Sequence, residues 1–219
     1  MSIRTQIEEL HATLPSGVTL VAVSKFHPIE ALQEAYNAGQ RIFGESRPQE
    51  MCAKQPLLPA DVEWHMIGHL QTNKVKYIVP FVSLIHSVDS ERLVAEIDRQ
   101  AKRFGRVIDV LFEVHLAEDE SKSGWDEGEL RKWLTSGALN EFENVRVRGL
   151  MTIGTLTDDM ELNKSEFRAL RTLFEELRPQ FGAEFDTLSM GMTGDYREAI
   201  ECGSTMVRIG SKIFGERSY

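Results

Sequence analysis

The stretch TLVAVSK, residues 19–25, is a short apolar run that ends on a lysine. It contains no glycine or proline, which is typical of a buried strand in a parallel sheet. The following segment, residues 29–38, has apolar residues at helical spacing and closes on Gly39, so the unit is strand, loop and helix. Lys25 is therefore predicted to lie at the carboxyl end of a rigid strand, where α/β folds place their chemistry.

The same alternation of strand and helix continues along the chain. Apolar, strand-like runs are each followed by a segment with helical spacing or by a turn, and no linker rich in proline or glycine divides them. Eight such units predict an α/β fold, a single-domain TIM-type (β/α)8 barrel that occupies residues 1–219. The predicted strands are residues 19–25, 41–44, 62–68, 84–88, 107–114, 145–151, 186–189 and 205–209.

The composition is that of an ordinary globular protein, with 42% hydrophobic and 27% charged residues. The net charge of -9 argues against a general nucleic-acid binder and against a binder of anionic membranes, because both depend on basic patches. No apolar run is long enough to span a membrane, and the charged amino terminus predicts a helix instead of a signal peptide. Cys52 and Cys202 make no disulfide framework, so we expect a cytoplasmic protein.

Two glycine-rich turns are predicted near the ends of the last two strands. The first, SMGMTGD, contains Thr193, and the second, VRIGS, ends on Gly210 and Ser211. Small residues let backbone N–H groups and hydroxyls approach an anion closely, although a single glycine-rich turn is usually no more than a turn. Closure of a barrel makes the first and last strands neighbours, so both turns are predicted to lie near Lys25. A lysine beside a phosphate site suggests a Schiff base with pyridoxal 5'-phosphate.

Eight segments, in a fixed order, carry a more specific signal: VAVSK at 21–25, FGE at 43–45, QE at 49–50, WHMIGHLQTNKVK at 64–76, SVDS at 87–90, RGLMTIG at 148–154, LSMGMTGD at 188–195 and GSTMVRIGSKIFGER at 203–217. In these segments the chain resembles the YggS/PROSC-type pyridoxal phosphate homeostasis proteins, which are related to the amino-terminal barrel of alanine racemase. The resemblance covers nearly the whole chain. It implies a barrel like that of the type III pyridoxal phosphate enzymes, without the second, β-rich domain of the racemases.

The resemblance implies five cofactor-binding residues. Lys25 matches the lysine that holds pyridoxal 5'-phosphate as a Schiff base. Thr193 and Ser211 match hydroxyl residues of the phosphate site, with Gly210 beside Ser211, and an exchange of serine and threonine keeps the hydrogen-bond donor. Arg208 matches the arginine that faces the pyridine nitrogen. A guanidinium there keeps this nitrogen unprotonated and weakens the ring as an electron sink.

Three residues in or next to these segments need a separate interpretation. Ser46 stands where the family usually has an asparagine, so an asparagine contact to the cofactor is not supplied at this position. His65 and His69 flank a glycine at a spacing used by metal sites. No acidic or histidine partner is placed to complete such a site, so we interpret both histidines as structural, hydrogen-bonded residues.

The resemblance implies a carrier in intracellular pyridoxal phosphate homeostasis that passes the cofactor to apo forms of pyridoxal phosphate enzymes. We expect little or no turnover, because racemisation needs proton transfer on both faces of the substrate, and the tyrosine that serves the second face in the racemases comes from the missing domain of a partner subunit. Without that domain we expect a monomer. Two alternatives stay open: a single-domain pyridoxal phosphate-dependent amino-acid racemase, and an aldolase that uses Lys25 on a phosphorylated sugar.

Overall fold

Eight parallel strands close into a barrel in the computed structural model, which describes residues 2–116 and 123–215. Each strand pairs with the next one along the chain, and the last strand pairs with the first, with Leu20 opposite Val207. The predicted (β/α)8 barrel is therefore confirmed. The strands are β1 (Thr19–Val23), β2 (Ile42–Glu45), β3 (Glu63–Met66), β4 (Leu84–Val88), β5 (Ile108–Glu113), β6 (Val145–Met151), β7 (Thr187–Met192) and β8 (Met206–Ile209).

Helices connect the strands and cover the outside of the barrel. Several begin at the side-chain caps that the sequence supplies: Asp159 accepts from the backbone N–H groups of Glu161 and Leu162, and Asp126 accepts from that of Glu129. Within the described ranges, no helix is both long and apolar enough to cross a membrane. The helices are α1 (Ile3–Thr13), α2 (Ile29–Asn37), α3 (Pro48–Lys54), α4 (Val75–Ile78), α5 (Glu91–Arg103), α6 (Glu127–Thr135), α7 (Met160–Phe181), α8 (Tyr196–Glu201) and α9 (Ser211–Phe214).

Alternate residues of each strand face opposite sides of the barrel wall. On β1, Leu20 and Ala22 join the large apolar core beneath the helices, whereas Val21 belongs to a second, smaller cluster. This cluster lies in the barrel interior, where it is formed by Val21, Leu84, Leu111, Met151 and Met206. The same alternation places buried polar side chains on the interior face, and these include His65, His86, Ser189 and Arg208.

The seventh strand is longer than the sequence predicts. It continues past Ser189 to Met192, through the segment that we interpreted as a glycine-rich turn. Gly191 has a φ of 94°, and an added Cβ would lie 2.6 Å from the Cβ of Ala199, so the strand runs directly against α8. Pairing with β8 continues past the predicted end of the strand, because Met192 pairs with Arg208 after a shift in register that follows Ser189. Thr193 therefore lies just beyond β7.

We expect Gly149→Ala to destabilise the barrel strongly. An added Cβ at Gly149, on β6, would lie 1.7 Å from the carbonyl oxygen of Thr187 on the neighbouring strand. The two strands must separate to relieve this clash, so the free energy of unfolding should fall by more than about 3 kcal/mol. Gly105→Ala is the control, because that glycine has a positive φ of 61° but open space around it, and it should cost about 1 kcal/mol. Urea unfolding measures both, and equal losses would contradict the steric argument.

Candidate functional site

Lys25 lies just beyond β1, at the carboxyl-terminal mouth of the barrel, and it is half-buried. The preceding residue, Ser24, is fully buried. Its backbone N–H donates to the carbonyl oxygen of Gly44 at 3.0 Å, and its hydroxyl donates to Glu45 Oε1 at 2.7 Å. Strand β2 thus fixes the point at which the chain leaves β1. The Lys25 side chain starts from a rigid backbone position, as the sequence predicts.

A second lysine holds the backbone in front of Lys25. Lys54, at the end of α3, is only 7% exposed. Its ammonium donates to the carbonyl oxygen of Ser24 at 2.8 Å, to Glu45 Oε1 at 2.8 Å and to Glu50 Oε1 at 2.7 Å. All three ammonium hydrogens therefore have an acceptor. Lys54, Ser24, Glu45 and Glu50 form a cluster, called here the Lys54 cluster, which joins helix α3 to the ends of β1 and β2.

The backbone behind Lys25 is attached to the same cluster. Glu50 Oε1 also accepts a hydrogen bond from the backbone N–H of Phe26 at 2.6 Å. Phe26 has a φ of 67°, a left-handed conformation that is uncommon for a bulky residue. The guanidinium of Arg47 lies over its ring, 4.7 Å from the centroid. Both chain neighbours of Lys25 are thus held by residues of the next βα unit.

Glu45 carries a buried carboxylate at the centre of this cluster. It is fully buried, and its Oε2 atom has no hydrogen-bond partner within the described residues. Burial raises the pKa of Glu45, and the hydrogen bonds from Lys54 and Ser24 oppose this rise. The ammonium of Lys54, 2.8 Å away, therefore compensates a charge that would otherwise be costly to bury.

Arg208, on β8, is 4% exposed and points into the barrel. Its Nη1 donates to the carbonyl oxygen of Ser189 at 2.9 Å and to the hydroxyl of the same residue at 2.7 Å, and Nη2 donates to the carbonyl oxygen of Thr152 at 2.9 Å. Burial lowers the pKa of Arg208 to about 10, against the opposing effect of Glu113 and Asp195. The guanidinium therefore remains charged at neutral pH.

The two predicted phosphate turns lie together. The hydroxyl oxygen of Thr193 accepts a hydrogen bond from the backbone N–H of Gly210 at 3.3 Å, which joins the ends of β7 and β8. Gly210 precedes α9, which begins at Ser211, so the first N–H groups of this short helix have no partner inside the helix. An added Cβ on Gly210 would lie 3.2 Å from the carbonyl oxygen of Val23, so the turn contacts the end of β1.

The sequence-predicted site residues thus share one mouth of the barrel. Lys25 follows β1, whereas Thr193, Gly210 and Ser211 follow β7 and β8. Arg208 lies two residues before Gly210, on the interior face. Ser46 is in the loop after β2, where it packs against the backbone of Gly68.

Two buried carboxyl groups near Arg208 were missed by the sequence analysis. Glu113 ends β5 and is 3% exposed; its Oε1 accepts from the hydroxyl of Ser123 at 3.0 Å. Asp195 Oδ1 accepts from the backbone N–H of Met192 at 2.6 Å. Burial raises the pKa of both carboxyl groups, and Arg208 lowers it. Lys25 was identified as a polar residue at the end of an apolar strand. The same signal is present at Glu113.

The two histidines considered as metal ligands have different surroundings. His65 Nδ1 lies 3.0 Å from His86 Nε2 in the barrel interior, whereas His69 Nδ1 lies 3.1 Å from Asp89 Oδ2 nearer the surface. Across residues 2–116 and 123–215, no group of three or more histidine, cysteine or acidic side chains is arranged to hold a metal ion. His65 is therefore hydrogen-bonded to another side chain, and His69 lies within ion-pair distance of Asp89.

The chain is similar to proteins that use this barrel. It matches the family described as "Alanine racemase, N-terminal domain" over residues 1–218. It is 44% identical over 201 residues to the pyridoxal phosphate homeostasis protein of Aquifex aeolicus (strain VF5), which covers 91% of this chain and 87% of that protein. PipY of Synechococcus elongatus PCC7942, solved with PLP bound, has a TM-score of 0.90 and 40% identity, over 98% of this chain and all (100%) of PipY. The alanine racemase of Streptomyces coelicolor A3(2) shares the fold, with a TM-score of 0.73 and 20% identity over 97% of this chain and 57% of that chain.

We expect Lys54→Met to destabilise the protein by about 3–5 kcal/mol, because it leaves the carboxylate of Glu45 buried without its cation. The double variant Glu45→Gln with Lys54→Met removes both charges and should be more stable than Lys54→Met alone. Urea unfolding of the two variants beside the wild type measures the difference. If the double variant is the less stable one, the charge pair is not the origin of the effect.

Proposed function

This chain belongs to the family of the pyridoxal phosphate homeostasis proteins, and we propose that it binds pyridoxal 5'-phosphate through Lys25 in intracellular pyridoxal phosphate homeostasis. The family assignment confirms the resemblance that the sequence motifs indicated. PipY, which is 40% identical over nearly the whole chain, is known with PLP bound. The proposed binding residues are Lys25, Thr193, Arg208, Gly210 and Ser211, within one barrel domain.

The observation that carries the proposal is the environment of Arg208. Within the described residues, three of its five N–H donors bind neutral oxygens, which leaves the Nε donor and one Nη2 donor for a ligand. A buried cation with neutral partners favours a ligand that presents a hydrogen-bond acceptor. The unprotonated pyridine nitrogen of pyridoxal 5'-phosphate is such an acceptor. The residues present therefore fit this cofactor.

The ends of β7 and β8 fit the phosphate group. Thr193 and Ser211 offer hydroxyl donors, and the first turn of α9, directly after Gly210, offers backbone N–H groups. A cavity of about 290 Å³ lies beside Thr193, and its lining includes the charged side chains of Arg197, Glu198 and Lys212. Lys212 also forms an ion pair with Glu9 at 3.0 Å, so it is the hydrogen-bond donors at this position, and not its net charge, that favour a phosphate group.

The same residues favour holding the cofactor over turnover. When bound, pyridoxal phosphate supplies an aldehyde that reacts with amines and a ring that can accept electrons. Lys25 supplies one amine. The Lys54 cluster holds the backbone of both residues next to it in the chain, Ser24 and Phe26. Arg208 keeps its proton at neutral pH, so it donates a hydrogen bond to the ring nitrogen without protonating it. An unprotonated ring is a weak acceptor of electrons, which supports a carrier.

Racemisation also needs a second proton donor and acceptor on the opposite face of the substrate. The three tyrosines in the described part of the chain, Tyr36, Tyr77 and Tyr196, all lie on helices outside the barrel wall. The Tyr36 hydroxyl donates to Asp61 at 2.8 Å, and that of Tyr196 accepts from the guanidinium of Arg197 at 3.3 Å. Their placement supports a protein with little or no turnover, and we infer that its role is to release the cofactor to apo enzymes.

We expect the purified protein, mixed with pyridoxal phosphate, to show a visible absorption band that Lys25→Ala lacks, because the proposed Schiff base forms on Lys25. The control variant is Lys102→Ala, on the exposed face of α5, which should keep the band. A band that survives in Lys25→Ala would move the attachment to another lysine. If the wild type shows no band, the carrier proposal fails, and reduction with borohydride in the presence of a phosphorylated sugar then tests the aldolase alternative.

A second candidate function is a single-domain amino-acid racemase, favoured by the match to the alanine racemase N-terminal domain. It predicts that the loaded protein removes the optical activity of L-alanine or L-serine. We expect no loss beyond that seen with Lys25→Ala, because Lys25 serves one face alone. Polarimetry over several hours measures this. Racemisation that depends on Lys25 would establish an enzyme and refute the carrier.

A further inference from the structure

A chain of hydrogen bonds crosses the barrel interior and ends at Arg208. Arg208 Nη1 lies 2.7 Å from Ser189 Oγ, Ser189 Oγ lies 3.0 Å from His86 Nδ1, and His86 Nε2 lies 3.0 Å from His65 Nδ1. All four residues are at most 4% exposed. They come from strands β8, β7, β4 and β3, so the chain links both sides of the barrel. No step of the proposed function uses Ser189 or either histidine.

The far end of this chain reaches the other mouth of the barrel. His65 lines a cavity of about 480 Å³ at the amino-terminal ends of the strands, together with Glu63, Asp109 and Arg148. His65 Nδ1 is occupied by His86, so Nε2 is the ring nitrogen that remains for this cavity. The polar chain therefore runs from the amino-terminal cavity to Arg208, beside the apolar cluster that contains Val21 and Leu84.

We propose that these four residues form a one-way hydrogen-bond chain that positions Arg208, with His65 and His86 both protonated on Nε2. The direction follows from Arg208, which can only donate. Ser189 Oγ accepts from it and gives its single hydrogen to His86 Nδ1. His86 Nδ1 is then an acceptor, so its proton is on Nε2, which donates to His65 Nδ1. His65 carries its own proton on Nε2, toward the cavity.

The opposite direction leaves a donor without an acceptor. If His86 donated from Nδ1, Ser189 Oγ would accept from both His86 and Arg208, and its hydroxyl hydrogen would have no acceptor among the described residues. An unpaired buried donor is unfavourable. The charge of Arg208 also polarises every bond in the proposed direction. Geometry and charge thus select the same tautomer of each ring.

Both rings must be neutral for this arrangement, since a histidine that accepts at Nδ1 cannot be doubly protonated. Burial lowers the pKa of His65 to about 3, and burial, His65 and Arg208 lower the pKa of His86 well below its ordinary value. Neutral imidazoles are therefore the stable form around neutral pH.

The hydrogen-bond chain restrains the guanidinium of Arg208, which faces the proposed cofactor. The carbonyl oxygens of Ser189 and Thr152 hold Arg208 from the backbone, and the hydrogen bond from the Ser189 hydroxyl to His86 fixes the orientation of the hydroxyl that accepts from Arg208. His86 and Ser189 are thus positioning residues for Arg208, with His65 behind them. This functional consequence rests on the proposed function, whereas the direction of the chain does not.

The tautomers can be measured in the cofactor-free protein. Long-range ¹H–¹⁵N correlation spectra of histidine-labelled protein separate neutral rings protonated on Nε2 from those protonated on Nδ1. We expect the Nε2 form for both His65 and His86, and a change at both rings in Ser189→Ala. The ring of His11, bound to Gln40 on the outside, serves as the internal control. Protonation of either interior ring on Nδ1 would overturn the proposal.

The positioning role is tested by cofactor binding to Ser189→Ala and His86→Phe, with His11→Gln as a control away from the site. We expect each interior variant to bind pyridoxal phosphate roughly tenfold more weakly and to shift the position of its visible band, because Arg208 is less firmly placed. The double variant should be no weaker than the worse single variant. Unchanged affinity and band in a folded Ser189→Ala protein would refute positioning. If the wild type itself does not bind pyridoxal phosphate, the proposed function fails, and the tautomer measurement still decides the hydrogen-bond chain.

Discussion

The pairing of β1 with β8 is the constraint on which the site depends. It places Val21 directly opposite Arg208 and Ala22 opposite Ile209, so the residues that follow each strand emerge side by side. Gly210 then contacts the end of β1, and Lys25 lies on the same mouth as Thr193 and Ser211. These segments are at opposite ends of the sequence, and closing so long a loop is entropically costly. The site therefore exists only when the whole barrel is closed, and the apolar core beneath the helices stabilises that closure.

The sequence predicted this arrangement where the information is local. A lysine at the end of an apolar strand and small residues after the last two strands can be recognised without knowing the packing, and barrel closure alone brings them together. The Lys54 cluster could not be predicted in this way, because its contacts with Ser24 depend on how α3 packs against the end of β1. His86 and Ser189 lie on strands that are not neighbours in the sheet, so their contact depends on the register and width of the barrel. The length of β7 was mispredicted for a related reason, since its register shift against β8 is a tertiary feature.

Lys54 and Arg208, the two buried cations near the site, have different hydrogen-bond partners. This difference indicates different roles for the two side chains. Lys54 has three acceptors, two of them on carboxylates, so its donors are all used within the protein. Arg208 binds neutral oxygens and keeps donors for a ligand. A guanidinium tolerates this better than an ammonium, because its charge is delocalised and weakly hydrated. Lys54 therefore holds the backbone around Lys25, whereas the remaining donors of Arg208 are the ones that the proposed cofactor would use.

The protonation states along the barrel interior support the proposal that this protein retains a cofactor. From His65 to Arg208, no group of the hydrogen-bond chain changes charge near neutral pH, because burial keeps the two histidines neutral and Arg208 stays charged. A catalyst that moves protons through a ring nitrogen needs a partner whose pKa lies near the working pH. The pKa of Arg208, about 10, is well above neutral pH. The proposed hydrogen-bond chain behind Arg208 opposes any rearrangement that would bring this pKa nearer to neutral pH. The electrostatic environment of Arg208 is thus fixed, which supports the proposal that the protein holds a cofactor on Lys25 with little or no turnover.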